Sequence, residues 1–316
     1  MPAHNRREFV TALGALGLAL AGEGCSGGYS AIAPLPPARQ APAAVRTFGV
    51  SLTNGEYDPA VDLPLLLYTG ASIARIPFAW DDIEIAPRQY FWGYYDAVIP
   101  PLAAAGITPL LITGTVNPIY GSTPPIGSAA LAACAEFYAV AAARYPNVAW
   151  ELGNEPNLGY FWPPAPNAAQ YAAFCKAVAP SLRQSARYII SGGTDGIDLG
   201  FITSYLAHGV GDVVDYVGFH PYGVPPSQMA SMLATLRANS PKPLFSTEYG
   251  VSGIDASVDL SAMANACGGQ GVPFIWFELN DGPGNIIDQY NEFGLYTTQR
   301  QPKPTLVAAQ AYASGH

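Results

Sequence analysis

Eight short apolar runs, each the length of a buried strand and most of them followed by a longer Ala- and Leu-rich stretch of helical character, occupy the chain from Arg46 onward. The runs are Thr47 to Leu52, Ser72 to Pro77, Thr108 to Thr113, Val148 to Leu152, Tyr188 to Ser191, Val213 to Phe219, Pro243 to Thr247 and Pro273 to Phe277. Helices are expected over Tyr94 to Ala105, Ser128 to Arg144, Ala168 to Gln184, Ser227 to Ala238 and Ser257 to Gly268. Continuous apolar runs mark strands buried on both faces, and alternation with helices marks a parallel sheet with helical crossovers. Eight units match a closed (β/α)₈ barrel, whose usual size is about 250 residues. An open doubly wound sheet is the alternative, though it commonly needs fewer strands. No break suggests a second domain, so residues 46–316 read as a single catalytic domain of α/β class.

Composition narrows the class of partner. Half of the 316 residues are hydrophobic and 12% are charged, as in a well-cored globular protein. The formal net charge is -9, and the 14 Lys and Arg residues form no cluster outside the N-terminus. A phosphate backbone would meet net repulsion, so no nucleic acid partner is expected.

The N-terminus reads as a separate segment. Arg6-Arg7 precedes an apolar run from Val10 to Ala21, too short to span a bilayer. This resembles a twin-arginine export signal, covering residues 1–25. Residues 26–45 are rich in Gly, Ser, Pro and Ala and read as a linker. Cys25 is a candidate lipid-attachment residue, because Gly24 precedes it and the linker follows like a tether; Gly22 and Glu23 are unusual for such a signal, and simple cleavage is the alternative. The implied location is periplasmic, extracellular or membrane-anchored.

The polar chemistry gathers where the strand runs end. Trp150-Glu151-Leu152-Gly153-Asn154-Glu155-Pro156 closes strand four and Ser246-Thr247-Glu248-Tyr249-Gly250 closes strand seven. Arg75 to Trp80 closes strand two, His220-Pro221-Tyr222 strand six, and Trp276 to Glu278 strand eight. In a (β/α)₈ barrel these ends share one face, which is where active sites of this fold lie. Two carboxylates brought to one pocket by separate strands are the minimum equipment for cleaving a glycosidic bond, one as proton donor and the other as nucleophile or base. Each glutamate alone is as easily a helix cap or half of an ion pair. Strand alternation sets Glu151 inside the barrel end, where a structural ion pair or hydrogen bond is expected.

On these residues the chain resembles the retaining glycoside hydrolases of clan A, with most similarity to families 5 and 39, from Arg46 to the C-terminus. The resemblance implies that Glu155, in Asn154-Glu155-Pro156, is the acid/base and that Glu248 is the nucleophile. It implies that Arg75, in Ala74-Arg75-Ile76-Pro77, supports the nucleophile. His220 and Tyr222 match the strand-six His-x-Tyr, and Trp276 matches the strand-eight tryptophan beneath the sugar. Tyr90 to Asp96 resembles the Trp-x-x-x-Asp segment of these enzymes. Gly153 departs from the pattern, since the families often have Trp before Asn-Glu-Pro. Asn154 is expected to bond the sugar 2-hydroxyl, and Trp80 and Glu278 to contact substrate, Glu278 being the reserve nucleophile.

The implied activity is hydrolysis of β-glycosidic bonds in a polysaccharide or oligosaccharide by double displacement. A catalytically silent carbohydrate-binding protein or a transglycosylase on the same barrel is the alternative. Loop aromatics, among them Tyr120, Tyr160 and Trp162, suit sugar stacking or loop anchoring alike. No metal or other cofactor is expected, because only His208 and His220 lie in the folded part apart from the final residue. The string from Gly22 to Gly27 fits GxGxxG but has no strand before it, and no Gly-x-Ser-x-Gly elbow occurs. Cys134, Cys175 and Cys267 are widely spaced, with no CxxC pair; the first two fall in helical patterns and read as small core residues, a bridge between them being the alternative.

Overall fold

The computed structural model describes residues 47–52, 57–240, 242–282 and 292–315. The expected export segment with Cys25, and the linker, lie outside the described residues. Among the described residues eight parallel strands form one sheet: β1 (Phe48–Ser51), β2 (Ile73–Phe78), β3 (Thr108–Thr113), β4 (Ala149–Leu152), β5 (Tyr188–Ser191), β6 (Val217–Phe219), β7 (Leu244–Tyr249) and β8 (Phe274–Trp276). The hydrogen-bonded order runs β5, β4, β3, β2, β1, β8, β7, β6. Single parallel bridges, Ile190 to Tyr216 and Thr194 to Phe219, bring β5 and β6 together and complete the ring. The result is a (β/α)₈ barrel.

Each strand is followed by a helix: α1 (Pro59–Tyr68), α2 (Gly93–Ala104), α3 (Ser128–Arg144), α4 (Ala168–Arg183), α5 (Leu199–Ala207), α6 (Met229–Asn239), α7 (Ser257–Gly268) and α8 (Thr305–Ser314). A hairpin, Glu84–Ala86 with Gln89–Tyr90, is inserted between β2 and α2. None of the described helices is long and apolar enough to cross a membrane.

The strands carry two cores because their side chains alternate. Ile73, Leu110, Ala149, Ile190, Phe245 and Ile275, from six strands, form an interior cluster that floors the barrel. The intervening residues, among them Ala74, Trp150 and Phe274, join the larger cluster shared with the helices. The next inward position up is polar: Arg75 stands two residues beyond Ile73, Glu151 two beyond Ala149 and Thr247 two beyond Phe245. The floor is therefore apolar and the layer above it carries charge.

Several expected boundaries shift, and two of the shifts have a visible local cause. The sixth strand is Val217–Phe219 rather than Val213 to Phe219, because Val210–Asp212 closes a 3₁₀ turn and Val213 caps it. The sixth helix starts at Met229, with a 3₁₀ turn over Pro226–Gln228 where Pro225 and Pro226 lack amide hydrogens. Cys134, Cys175 and Cys267 are buried free thiols.

Candidate active site

Arg75 is the centre of the polar layer. Its guanidinium, 2% exposed, donates from Nε to Glu151 Oε2 at 2.7 Å, from Nη1 to Glu248 Oε2 at 2.5 Å and from Nη2 to Asn154 Oδ1 at 2.7 Å. One cation thus ties strands two, four and seven together. Glu151 is wholly buried and saturated: Oε1 also accepts from the Gly193 amide at 3.0 Å and from the Thr247 hydroxyl at 2.8 Å. Burial pushes the Glu151 carboxyl up, but Arg75 and His220 beside it outweigh that and hold it at about 2. The same two carboxylates push Arg75 higher against its own burial. A fully paired, hydrogen-bonded ion pair is the form in which charge tolerates this depth.

Glu248 reaches Arg75 because β7 is irregular. Phe274 pairs with Ser246 and Trp276 with Tyr249, so two steps along β8 face three steps along β7. The extra residue breaks alternation and turns both Thr247 and Glu248 toward the interior, as a bulge re-aims a side chain at a barrel rim. Tyr222, after β6, donates its hydroxyl to Glu248 Oε1 at 3.0 Å. Both oxygens of Glu248 are therefore held.

Glu155 follows β4 in a left-handed backbone conformation, φ 40°, two residues after Gly153 at φ 80°. Such a conformation in a non-glycine residue costs roughly 1–3 kcal/mol and clusters at functional positions. The Glu155 amide is fixed by the Gly193 carbonyl at 2.9 Å, and its Oε1 lies 2.9 Å from His220 Nδ1. His220, fully buried, places Nε2 3.2 Å from Thr247 Oγ1. Burial pushes Glu155 up, Glu248 pushes the same way, and His220 opposes them; the net direction is upward. Burial alone would lower His220, but Glu248, Glu151 and Glu155 raise it to about 9. Oxygen atoms of Glu155 and Glu248 lie within 4.8 Å of each other, with a His220 nitrogen in the same circle. Gly193 is required here, because a Cβ at that position would overlap His220 Nε2 and Thr247 Oγ1.

The structure thus joins Arg75, Asn154, Glu155, His220, Tyr222 and Glu248 in one cluster. Two other expected substrate contacts, Trp276 and Trp80, are packed away from this cluster, and Glu278 lies buried just beyond β8. Trp276 is wholly buried, bonds the Phe293 carbonyl through its indole N–H at 3.0 Å and meets Tyr249 edge-on. It shares the outward face of Phe274, which packs on Tyr312 of α8, so it faces the helices and not the pocket. Phe277, two residues beyond the inward Ile275, is half-buried and meets the Phe293 ring edge-on. Trp80 is 1% exposed, donates its indole N–H to buried Glu84 at 2.7 Å and stacks on Tyr120 and Phe137. It anchors the hairpin rather than presenting a face to solvent. Glu278 is buried, with its amide bonded to the Phe293 carbonyl and its own carbonyl to the Leu295 amide. Asp96 of the Tyr90 to Asp96 segment braces α2 to Arg144 and Tyr145. Of the loop aromatics, Trp162 is an anchor packed on Tyr171 and Phe174, whereas Phe91 and Tyr160 are exposed. Sequence reasoning missed Thr247 and Gly193, whose only signal was adjacency to Glu248 and to the end of β5.

No protein-family profile and no curated protein matches this chain. Solved structures do. A family 39 glycoside hydrolase from Bacteroides cellulosilyticus superposes with a TM-score of 0.66 and 23% identity over 85% of this chain and 64% of that one. A monomeric β-xylosidase from Caulobacter crescentus gives 0.67 and 18% over 86% and 69%, and an exo-β-1,4-mannosidase from an Opitutaceae bacterium 0.66 and 18% over 86% and 59%. The chain spans less than two thirds of the first of these proteins. Its fold is the (β/α)₈ barrel found in glycoside hydrolases of families 39, 5, 30 and 10.

Proposed function

We propose that the chain is a retaining glycoside hydrolase acting on β-linked polysaccharides or oligosaccharides, with Glu248 as nucleophile and Glu155 as acid/base. The observation that carries this reading is the approach of the two carboxylates within 4.8 Å from the ends of β4 and β7. A retaining pair stands about 5–5.5 Å apart, whereas an inverting pair leaves room for water between. The environments also differ in the required sense. Arg75 and Tyr222 bind Glu248 as an anion, while burial and the charge of Glu248 favour the protonated form of Glu155.

In the first step a Glu248 oxygen attacks the anomeric carbon, the bond to the leaving oxygen breaks, and Glu155 gives that oxygen its proton. Glu248 becomes a neutral ester, which removes the charge that favoured the proton on Glu155. In the second step Glu155 takes a proton from water, the water oxygen attacks the same carbon, and Glu248 leaves as carboxylate. Asn154 is oriented by Arg75, which occupies its Oδ1 and leaves its Nδ2 hydrogens for a sugar hydroxyl. Phe277 offers the apolar face to the ring.

Hydrolysis of aryl β-glycosides and a polysaccharide panel by the wild type, Glu155→Ala and Glu248→Ala tests the assignment. Loss in both variants is expected, with azide rescue of Glu248→Ala; full activity in Glu248→Ala would remove it as nucleophile. We further propose that the protein acts outside the cytoplasm, on the strength of Arg6-Arg7 and the apolar run behind them.

A further inference from the structure

Thr247 has one hydroxyl hydrogen and two polar neighbours. Toward Glu151 Oε1, at 2.8 Å, it acts as donor, because a carboxylate only accepts. Toward His220 Nε2, at 3.2 Å, it is then left as acceptor, so Nε2 must carry a hydrogen. The histidine's variable nitrogen is consequently Nδ1, the one 2.9 Å from Glu155 Oε1. We infer that the Glu151–Thr247 pair fixes the Nε2–H form of His220 and thereby makes the His220–Glu155 contact the place where the acid/base proton is retained. Thr247 is on this reading a positioning residue; the inference rests on Glu155 as acid/base.

The consequence is electrostatic. With Nε2 committed, a neutral His220 presents a lone pair to Glu155, and an ionised Glu155 would set a second lone pair against it in a buried site. That state is unfavourable, so at least one proton stays on the pair. When His220 is the imidazolium, Nδ1–H donates to Oε1 and leaves the other oxygen of Glu155 to deliver its proton to the substrate. The charged and titratable groups around His220 are Glu151 and Glu155 from β4 and its loop, Glu248 from β7, Tyr222 after β6 and Arg75 from β2. Asp195, after β5, acts on Glu155. The geometry that fixes the tautomer is the Glu151–Thr247–His220 chain, which Gly193 leaves room for.

The test is Thr247→Val, which keeps the shape and removes the hydroxyl, beside Thr247→Ser. Two measurements are made: the pH profile of kcat/KM, and ¹⁵N spectra of histidine-labelled protein, with His220 assigned by its loss in His220→Gln. In the wild type Nε2 should be protonated in every state. In Thr247→Val the Nδ1–H tautomer should appear, stabilise ionised Glu155 and move the alkaline limb down by about one pH unit; Thr247→Ser should restore both. A wild-type neutral His220 protonated on Nδ1 overturns the inference, as does a valine variant with unchanged tautomer and limb. The nitrogen spectra need no turnover. Absence of hydrolysis with the expected tautomer would therefore sink the proposed function and leave the proton order standing.

Discussion

Arg75 and Glu151 form an ion pair, Nε to Oε2 at 2.7 Å, immediately above the apolar floor of the barrel, with 2% and 0% of their side chains exposed. The Arg75 fork that binds Glu248 and Asn154 is held in place by this pair. Removing one partner of a buried pair strands the other's charge, at a cost of about 3–5 kcal/mol. Glu151→Gln should lower unfolding stability at neutral pH by an amount of that order in urea titrations, and a loss under about 1 kcal/mol would contradict the role assigned to it.

The same pair gives stability a pH dependence. Glu151 is held at about 2 in the folded state against 4.5 unperturbed, so its contribution is complete above 4.5 and disappears as pH falls toward 2. The stability gap between wild type and Glu151→Gln should narrow across that window. His220 has the opposite sign: raised from 6.5 to about 9, it contributes fully below 6.5 and loses its contribution as pH rises through 9. Unfolding of the wild type against His220→Gln at pH 6, 8 and 10 measures this, and a gap that grows with pH would contradict it.

Tyr222→Phe removes the hydroxyl that binds Glu248 Oε1 and little else. A hydrogen bond to a charged group is worth about 1.5–3 kcal/mol, so kcat/KM should drop by roughly 10- to 100-fold with a nearly unchanged unfolding midpoint. Steady-state kinetics with calorimetry separate the two effects, and undiminished kcat/KM would refute the contact's importance.

Phe277 and Trp276 are neighbours that differ in burial, the first half-buried and the second wholly buried. Phe277→Ala should raise KM and spare the fold. Trp276→Ala should cost about 3–5 kcal/mol of stability by opening a hole beside Tyr249. Reversed outcomes would restore Trp276 as the sugar platform.

Export is tested by cell fractionation of the full chain beside a variant with Arg6→Lys and Arg7→Lys. The wild type should leave the cytoplasm and the double variant should stay. Retention of both would overturn the assignment.

Much of the barrel was legible because buried parallel strands announce themselves as apolar runs: β3 and β5 lie where Thr108 to Thr113 and Tyr188 to Ser191 placed them. Helices α1, α5 and α8 escaped. Helix α1 carries Pro64 in its interior, and α5 is short, with its boundary set by Asp198, whose side chain caps the Phe201 amide. Arg75, Glu155, Tyr222 and Glu248 were readable from strand ends, since the barrel topology alone brings those ends together. Trp276 was misplaced because the residue that faces a pocket depends on which positions fill the floor, and an aromatic run such as Phe274 to Phe277 is apolar at every step. Thr247 was hidden because regular alternation would send it and Glu248 to opposite sides; only the irregular pairing of β7 with β8 points both inward.

That irregularity makes the position of Glu248 vulnerable in an unusual way. Loss of codon 246 or 247 would let the two strands pair evenly and set the glutamate two residues beyond the inward Phe245, in the place Thr247 now holds beside Glu151 and His220, instead of where Arg75 and Tyr222 now bind it. One in-frame deletion could thus move this acid off its two partners while leaving the eight-stranded ring intact.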